Sequence, residues 1–408
     1  MTVRTLLANA SLIDCVEPRV RNDCAVLVED GRIREIFDAG NRPAVGDAEV
    51  IDLHGAYLMP GLWDVHIHPD YHSLADMSLP EQTTLFGNRL QAALLESGIV
   101  GLRCAGAHSF MDVAWKRAFA SGQHLGPRLF ASGYFLTTTA GHFLHSFHTL
   151  EVDGPYGFVK AIREQIKNGV DHIKLNLSGG IMGPAWDLHR HSFLLQDELD
   201  AAFEVCKLRE FKVMAHATNP EAVKAAIRLG AHSVEHGYIL DDECIELFLE
   251  RDVWYVPTLA ISHLTPTQTT NDWEKRWVTN RNLAPALCCR ADAASGEHRD
   301  AFRKALAAGV KMALGSDIRP LQDAALLEIG LWVRNGATPW QALVAATRHG
   351  AAICGVGDEL GTVEPGKIAD LIVVEANPLD NIHNVRRLAM VFKDGRLVAD
   401  RRKPGARA

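Results

Sequence analysis

The sequence predicts an α/β protein: a (β/α)₈ TIM barrel with a small β-sandwich domain formed from both chain ends. Three observations carry this. Short β-type runs with Asp-Gly turns occur at both ends of the chain. Eight apolar runs between them are each followed by a helical pattern. Histidines and an aspartate stand at the ends of several of those runs, where a barrel of this kind gathers its reactive side chains.

Residues 1–55 hold β-type runs at Leu6 to Ile13, Cys24 to Glu29, Arg32 to Ile36 and Glu49 to Leu53. Asp30-Gly31 lies between two of them, and Asp-Gly suits the tight hairpin whose central residues need positive φ. In residues 360–408, Ala369 to Val374 and Leu388 to Phe392 are β-type, and Asp394-Gly395 leads into Arg396-Leu397-Val398. The two ends together predict the sandwich. Residues 56–359 predict the barrel, with strands in Tyr57–His68, Ile99–Ala105, Arg128–Phe135, His172–Leu177, Lys212–His216, Ser233–His236, Trp254–Leu259 and Lys311–Ser316. Amphipathic stretches such as Glu81–Glu96, Phe158–Lys167, Asp197–Glu210 and Pro220–Leu229 follow them. Asn219-Pro220 and Thr338-Pro339 fit the cap and first turn of helices. Repeated β-then-α units favour a closed parallel barrel over a doubly wound sheet. The stretch from Ser262 to about Gly296 is expected as a long irregular lid or binding loop.

The chain has 408 residues, 47% hydrophobic and 23% charged, with a net charge of -8. That is enough apolar material for a large core. No basic stretch suits a phosphate backbone, so nucleic acid is not an expected partner. No run of about 18 apolar residues suggests a membrane span. The N-terminal residues lack a leader pattern, and the expectation is a cytoplasmic protein. The eight cysteines include no C-x-x-C pair, which predicts reduced and mostly buried thiols.

The first apolar run ends Asp64-Val65-His66-Ile67-His68. Strand side chains alternate, so His66 and His68 face the same way and make half a metal site; two polar strand-end residues would look the same. Lys174 sits in an apolar strand in phase with Asn176. A bare buried ammonium is costly, so it must snorkel to solvent, find a partner or change charge. Reaction of the neutral amine with CO₂ would give an anionic carbamate with two oxygens. The fifth run ends at His216, the sixth holds Glu235-His236-Gly237-Tyr238, and the eighth ends Ser316-Asp317. Each is weak alone; together they place four histidines, a lysine and an aspartate at five strand ends.

With this set the chain resembles the amidohydrolase superfamily. The resemblance extends to the flanking Leu58-Met59-Pro60-Gly61-Leu62-Trp63-Asp64 and Leu360-Gly361-Thr362-Val363-Glu364-Pro365-Gly366-Lys367-Ile368-Ala369-Asp370-Leu371. It implies two divalent metal ions, zinc by default. His66, His68 and Asp317 would hold the more buried ion, His216 and His236 the second, and carbamylated Lys174 would bridge them. A metal-bridging hydroxide would be the nucleophile, with Asp317 as general acid and base. Single-metal deaminases resemble this plan but place a Glu soon after the strand-five histidine. Here that stretch reads His216-Ala217-Thr218-Asn219-Pro220-Glu221. A two-metal hydrolase is therefore favoured, with a hydrolytic deaminase or cyclic-amide hydrolase as the alternative.

Within the superfamily the chain is similar to the branch of prolidase-type and Xaa-Arg/Lys dipeptidases and their relatives acting on aryl amides and carbamates. The supporting pieces are Ala140-Gly141-His142, Ser178-Gly179-Gly180-Ile181-Met182 and His236-Gly237-Tyr238. The similarity implies that His142 and Tyr238 contact the substrate carbonyl or carboxylate, Tyr238 as an oxyanion donor. Where the branch often continues Gly-His-Gly, this chain reads Gly141-His142-Phe143-Leu144-His145. Phe143 suggests a pocket for a hydrophobic or aromatic group. Arg190 is a candidate carboxylate contact, with a solvated loop as the blander reading. A small-molecule substrate and a homo-oligomer complete the expectation.

Overall fold

The computed structural model describes residues 3–38, 40–41, 46–69, 76–143 and 148–402. Five strands come first: β1 (Arg4–Leu12), β2 (Arg21–Glu29), β3 (Arg32–Phe37), β4 (Glu49–Asp52) and β5 (Tyr57–Pro60). Strands and helices then alternate: β6 (Leu62–Ile67), α1 (Leu79–Ser97), β7 (Ile99–Cys104), α2 (Met111–Ala120), β8 (Arg128–Phe130), β9 (Phe135–Thr137), β10 (Thr149–Glu151), α3 (Pro155–Asn168), β11 (His172–Asn176), α4 (Gln196–Leu208), β12 (Lys212–Ala217), α5 (Pro220–Leu229), β13 (Ser233–His236), α6 (Asp242–Arg251) and β14 (Trp254–Val256). Six helices follow: α7 (Ala260–His263), α8 (Asp272–Arg281), α9 (Pro285–Ala308), α10 (Leu321–Arg334), α11 (Pro339–Ala345) and α12 (Arg348–Ile353). The chain returns to strands in β15 (Leu371–Val374), β16 (Leu388–Lys393) and β17 (Arg396–Asp400).

The strands form a mixed α/β fold. β6-β7-β8 make one parallel sheet and β10-β9-β11-β12-β13-β14 another. Apart from β8 and β10, both faces of these strands are almost wholly buried, which is why they read as continuous apolar runs. The helices present one apolar face inward. In α5 this face is Ala222, Val223, Ala226 and Ile227, and the helix starts where the Asn219 side chain accepts the Ala222 N–H at 2.9 Å. Thr338 caps α11 in the same way, through the N–H of Gln341.

The end segments meet in a third sheet, ordered β17-β16-β15-β5-β1-β2-β3, with β4 beside β1. The Asp30-Gly31 and Asp394-Gly395 turns join β2 to β3 and β16 to β17, as expected, and they also touch each other. A Cβ on Gly31 would lie 2.9 Å from the Asp394 carbonyl oxygen, and one on Gly395 would lie 2.6 Å from the Gly31 Cα. Both glycines have positive φ, so close approach and backbone conformation select the same residue. Beneath them the Lys393 ammonium, 6% exposed, meets the Asp370 carboxylate, 1% exposed, at 3.0 Å. Arg128 of β8 donates to the same carboxylate at 3.1 Å and ties this sheet to the parallel strands.

Four expectations change. The run Tyr57–His68 is two strands: β5 pairs with β1 and β15 in the end sheet, and only β6 joins the parallel strands. Arg128–Phe135 likewise divides into β8 and β9. Lys311–Ser316 makes a single parallel bridge, Met312 with Tyr255, in place of a regular strand. Most of the expected irregular loop, 262–296, is helical, because Asn271 caps α8 and Pro285 opens α9. Leu144 and His145 lie outside the described residues. The eight cysteines are free thiols, five of them buried. Among the described residues no helix is long and apolar enough to cross a membrane.

Asp370→Ala should destabilise the protein by about 3 kcal/mol, because it removes the buried carboxylate and leaves the Lys393 ammonium only the more exposed Asp394, 3.0 Å away. Urea unfolding measures this. A loss below about 1 kcal/mol would show that apolar packing alone holds the terminal strands.

Candidate active site

One cavity, with about 730 Å³ of space, opens at the C-terminal ends of the parallel strands. His66, His68, His142, Phe143, Lys174, His216, His236, Tyr238 and Asp317 all line it, so nine of the sequence-predicted site residues come together. Arg190 lies outside the lining. It is exposed, and Glu297 accepts its guanidinium at 2.5 Å. Arg190 thus stands in an exposed ion pair away from the cavity lining.

Each histidine has one ring nitrogen committed. Nδ1 of His66 is 2.7 Å from Glu235 Oε2, and Nδ1 of His68 is 3.0 Å from the Gly106 carbonyl. The Thr258 hydroxyl donates to the Pro257 carbonyl, so it accepts from His236 Nδ1 at 2.7 Å. In these three rings Nε2 keeps the lone pair. His216 is reversed: its Nε2 donates to the Gly179 carbonyl at 2.9 Å, which leaves the lone pair on Nδ1. Burial is the main cause that drives all four histidines well below their usual pKa, so they are neutral imidazoles. That is the form that binds a metal.

The remaining donors fit a cation. Asp317 Oδ1 lies 3.4 Å from His68 Nε2 and 3.8 Å from His66 Nε2. Ligand atoms of His66, His236 and Asp317 all fall within 4.8 Å of one another. Lys174 is 2% exposed, and its ammonium has no hydrogen-bond partner among the described residues. Burial lowers its pKa to about 8, opposed by Glu235 and Asp317. Burial raises Asp317 to about 6, opposed by Arg319 and Lys174. Four neutral imidazoles, a carboxylate and a buried amine without a partner make a donor set that suits divalent metal ions.

Three cavity-lining residues have strained backbone: Phe143, with φ 65°, and two of the metal-ligand candidates. His236 has φ 71° and Asp317 has φ 55°, both in the left-handed region that favours glycine. Asp317 is held there by its N–H to the His66 carbonyl at 2.9 Å. The neighbouring Ser316 N–H donates to Asp64 at 2.9 Å, and Asp64 also accepts the His66 N–H at 3.2 Å. The end of β6 is thus bonded to the loop that carries Asp317.

His142 and Tyr238, which line the same cavity, are also fixed. His142 stacks on His216 with centroids 4.2 Å apart, and its Nδ1 is 2.7 Å from the buried Asp187 carboxylate. Asp187 also accepts the N–H groups of Gly180 and Phe143. Arg290 of α9 donates to the carbonyls of Gly180, Gly183, Pro184 and Asp187, which pins that loop. Tyr238 is 2% exposed, and burial raises its pKa, so it stays a phenol able to donate.

Sequence reasoning missed Glu235, Thr258, Asp187, Arg281 and Arg319. Glu235 had a readable signal: an acid inside an apolar run must be answered by a cation. It is, because Arg103 donates to its Oε1 at 2.9 Å. Glu235→Gln should lower metal affinity about 10- to 100-fold, since it weakens the anchor that fixes the His66 tautomer. Metal titration followed by fluorescence or calorimetry checks this, and unchanged affinity would remove Glu235 from any role in the site.

Similarity to known proteins agrees with the geometry. An ochratoxinase from Aspergillus niger is 29% identical over 375 residues, covering 83% of this chain and 75% of that protein. The crystal structure of a Xaa-Pro dipeptidase with bound methionine superposes with a TM-score of 0.84 at 27% identity, over 97% of this chain and 99% of the other. A prolidase complexed with N-methylphosphonate-L-proline gives a TM-score of 0.84 at 28% identity, over 98% and 100%. Residues 57–398 match the amidohydrolase family, and on that span the chain belongs to the amidohydrolase family as a hydrolase acting on carbon–nitrogen bonds.

Proposed function

We propose that the chain cleaves an amide or carbamate C–N bond of a small-molecule substrate, using two divalent metal ions, zinc by default, in the cavity at the strand ends. One observation carries the reading. Each of four buried neutral histidines has its second ring nitrogen fixed, and a lysine amine with no hydrogen-bond partner among the described residues sits among them. A loose cluster of polar strand-end residues would not have its tautomers set in this way.

In this reading His66, His68 and Asp317 would hold one ion and His216 and His236 the other. Lys174 would supply a further anionic donor once its neutral amine has added to CO₂ and lost a proton to give a carbamate. Bound there, the ions supply Lewis-acid activation of a water and of the scissile carbonyl. Asp317 takes up the proton released by the attacking water and passes it to the leaving nitrogen. Tyr238 donates its phenol O–H to the developing oxyanion, and His142, oriented by Asp187, contacts the same carbonyl. The ochratoxinase, dipeptidase and prolidase likenesses support amide cleavage as the reaction.

The scaffold reading goes with it. Tyr255 N–H donates to the Lys311 carbonyl, Ala313 N–H to the Tyr255 carbonyl, and Val65 N–H to the Leu314 carbonyl. Asp171 N–H donates to the Ala131 carbonyl between β8 and β11. These bonds support one eight-membered ring of β6, β7, β8, β11, β12, β13, β14 and residues 311–317, beside a β-sandwich built from both ends. A cytoplasmic homo-oligomer remains the expectation for the assembled enzyme.

Chelator-treated protein should lose amidase activity and recover it with Zn²⁺ plus bicarbonate, with about two ions bound per chain. Lys174→Ala should fall to background under the same conditions. Full activity without metal would overturn the reading, and ammonia release from an aminated heterocycle without amide cleavage would favour the deaminase alternative.

A further inference from the structure

Two residues bonded to each other at the cavity have backbone conformations that their side chains disfavour. His236 has φ 71° and Thr258 has φ 52°. Positive φ is uncommon outside glycine, and for a β-branched residue such as threonine it is an outlier. His236 Nδ1 meets Thr258 Oγ1 at 2.7 Å, and Thr258 is 0% exposed. Outliers of this kind persist only where the surrounding bonds over-determine them. For His236 such a bond is visible: its carbonyl accepts the Tyr255 hydroxyl at 3.0 Å.

For Thr258 the constraint comes from α10. β14 ends at Val256, and Pro257 has no N–H with which to continue its ladder. Just past Thr258, the Leu259 N–H donates to Glu328 Oε1 at 2.9 Å and the Ala260 N–H to Glu328 Oε2 at 2.7 Å. The Trp332 indole, one turn further along α10, donates to Oε1 at 2.9 Å. Glu328 is 0% exposed, and a buried carboxylate without such donors would be very unfavourable. Helix and loop therefore fix each other. An apolar side chain in place of Glu328 would fill the space but leave the two backbone N–H groups without their acceptor. The same segment reaches the cavity again beyond Thr258. Ile261 lines it, and the Ser262 hydroxyl is 2.7 Å from Nδ1 of His298, whose ring packs edge-on against Tyr238 at 4.6 Å.

We propose that Glu328 is a positioning residue of the site: by holding the N–H groups of Leu259 and Ala260 it keeps Thr258 left-handed, and the Thr258 hydroxyl then accepts from His236 Nδ1 and leaves Nε2 for a metal ion. The Glu328 carboxylate is committed to the loop backbone and the Trp332 indole, so it acts through Thr258. This rests on the two-metal reading of the cavity and extends it to a helix that contributes none of the described lining residues.

The test uses the full chain and titrates zinc against a competing chelator, which reads two affinities per chain. Glu328→Gln keeps the volume but turns one acceptor oxygen into a donor facing an N–H. In it, one affinity should fall at least about tenfold while the other changes by less than about threefold. Thr258→Val, of the same shape without the hydroxyl, should show the same selective loss, and Thr258→Ser should recover most of it. The double variant Glu328→Gln with Thr258→Val should lose little more than either single one, because both act through one bond. Unchanged affinities, equal falls in both, or additive losses in the double variant would each overturn the proposal. Should the Gln variant fail to fold, Glu328→Asp takes its place, with a smaller loss confined to the same affinity. If the unaltered chain binds no zinc, the two-metal reading fails, and nitrogen NMR of histidine-labelled protein still decides the positioning role. His236, assigned by its missing signals in His236→Gln, should carry its proton on Nδ1 in the unaltered chain and lose that single tautomer in the Glu328 variant. A tautomer retained there would overturn the proposal.

Discussion

The carboxylate of Glu235 is fully buried, and its two oxygens serve different neighbours. Oε2 faces His66 at 2.7 Å. Oε1 accepts from Arg103 at 2.9 Å and from the Ser233 hydroxyl at 2.5 Å. Arg103 donates onward to the Val65 carbonyl at 2.7 Å, beside the histidine that Glu235 orients. This one anion joins β6, β7 and β13 below the cavity. An isolated buried carboxylate would be very unfavourable, so the network holds only while each member is present. The metal-ligand candidates above it inherit their positions from that requirement.

A second fixed point lies at the seam between β6 and the Asp317 loop. Asp64, His66 and His68 share one face of β6 and its end by simple alternation. Asp64 uses that position to bind Ser316, and the His66 carbonyl binds the Asp317 N–H. These bonds hold Asp317 in a left-handed conformation that a free chain would avoid. Strain at the site is thus sustained by hydrogen bonds whose partners come from the opposite end of the parallel-strand region.

This explains which parts of the site were legible. His66 with His68, and Lys174 with Asn176, follow from period-two alternation and needed no structure. His236 does not follow from it, because Glu235 and His236 are neighbours that alternation would send to opposite faces. The φ of 71° at His236 breaks the rule, and both residues serve the same site. The end of β5 was missed for a similar reason: Tyr57–His68 is apolar throughout, and hydrophobicity alone could not show that Gly61 separates two sheets. Arg281 and Arg319 had no local signal at all. Their position depends on the Trp277 contact between segments 42 residues apart, and no periodicity encodes such a contact. Arg190 was weighed as a carboxylate contact against a solvated loop, and Glu297, which pairs with it, lies on a distant helix.

The junction of the two Asp-Gly turns has a consequence for the time course of synthesis. β5 is flanked by β1 from the start of the chain and by β15 from near its end. While the intervening residues emerge from the ribosome, β5 keeps one edge open. At typical elongation rates of about 5–20 residues per second this lasts roughly 15 to 60 seconds. Unpaired strand edges recruit other strands, so the nascent chain passes through an interval in which its first-made sheet is vulnerable to wrong partners. Crowded overexpression lengthens the odds against correct closure at that stage, and slower growth with chaperones present would be the natural remedy for a poor yield of folded enzyme.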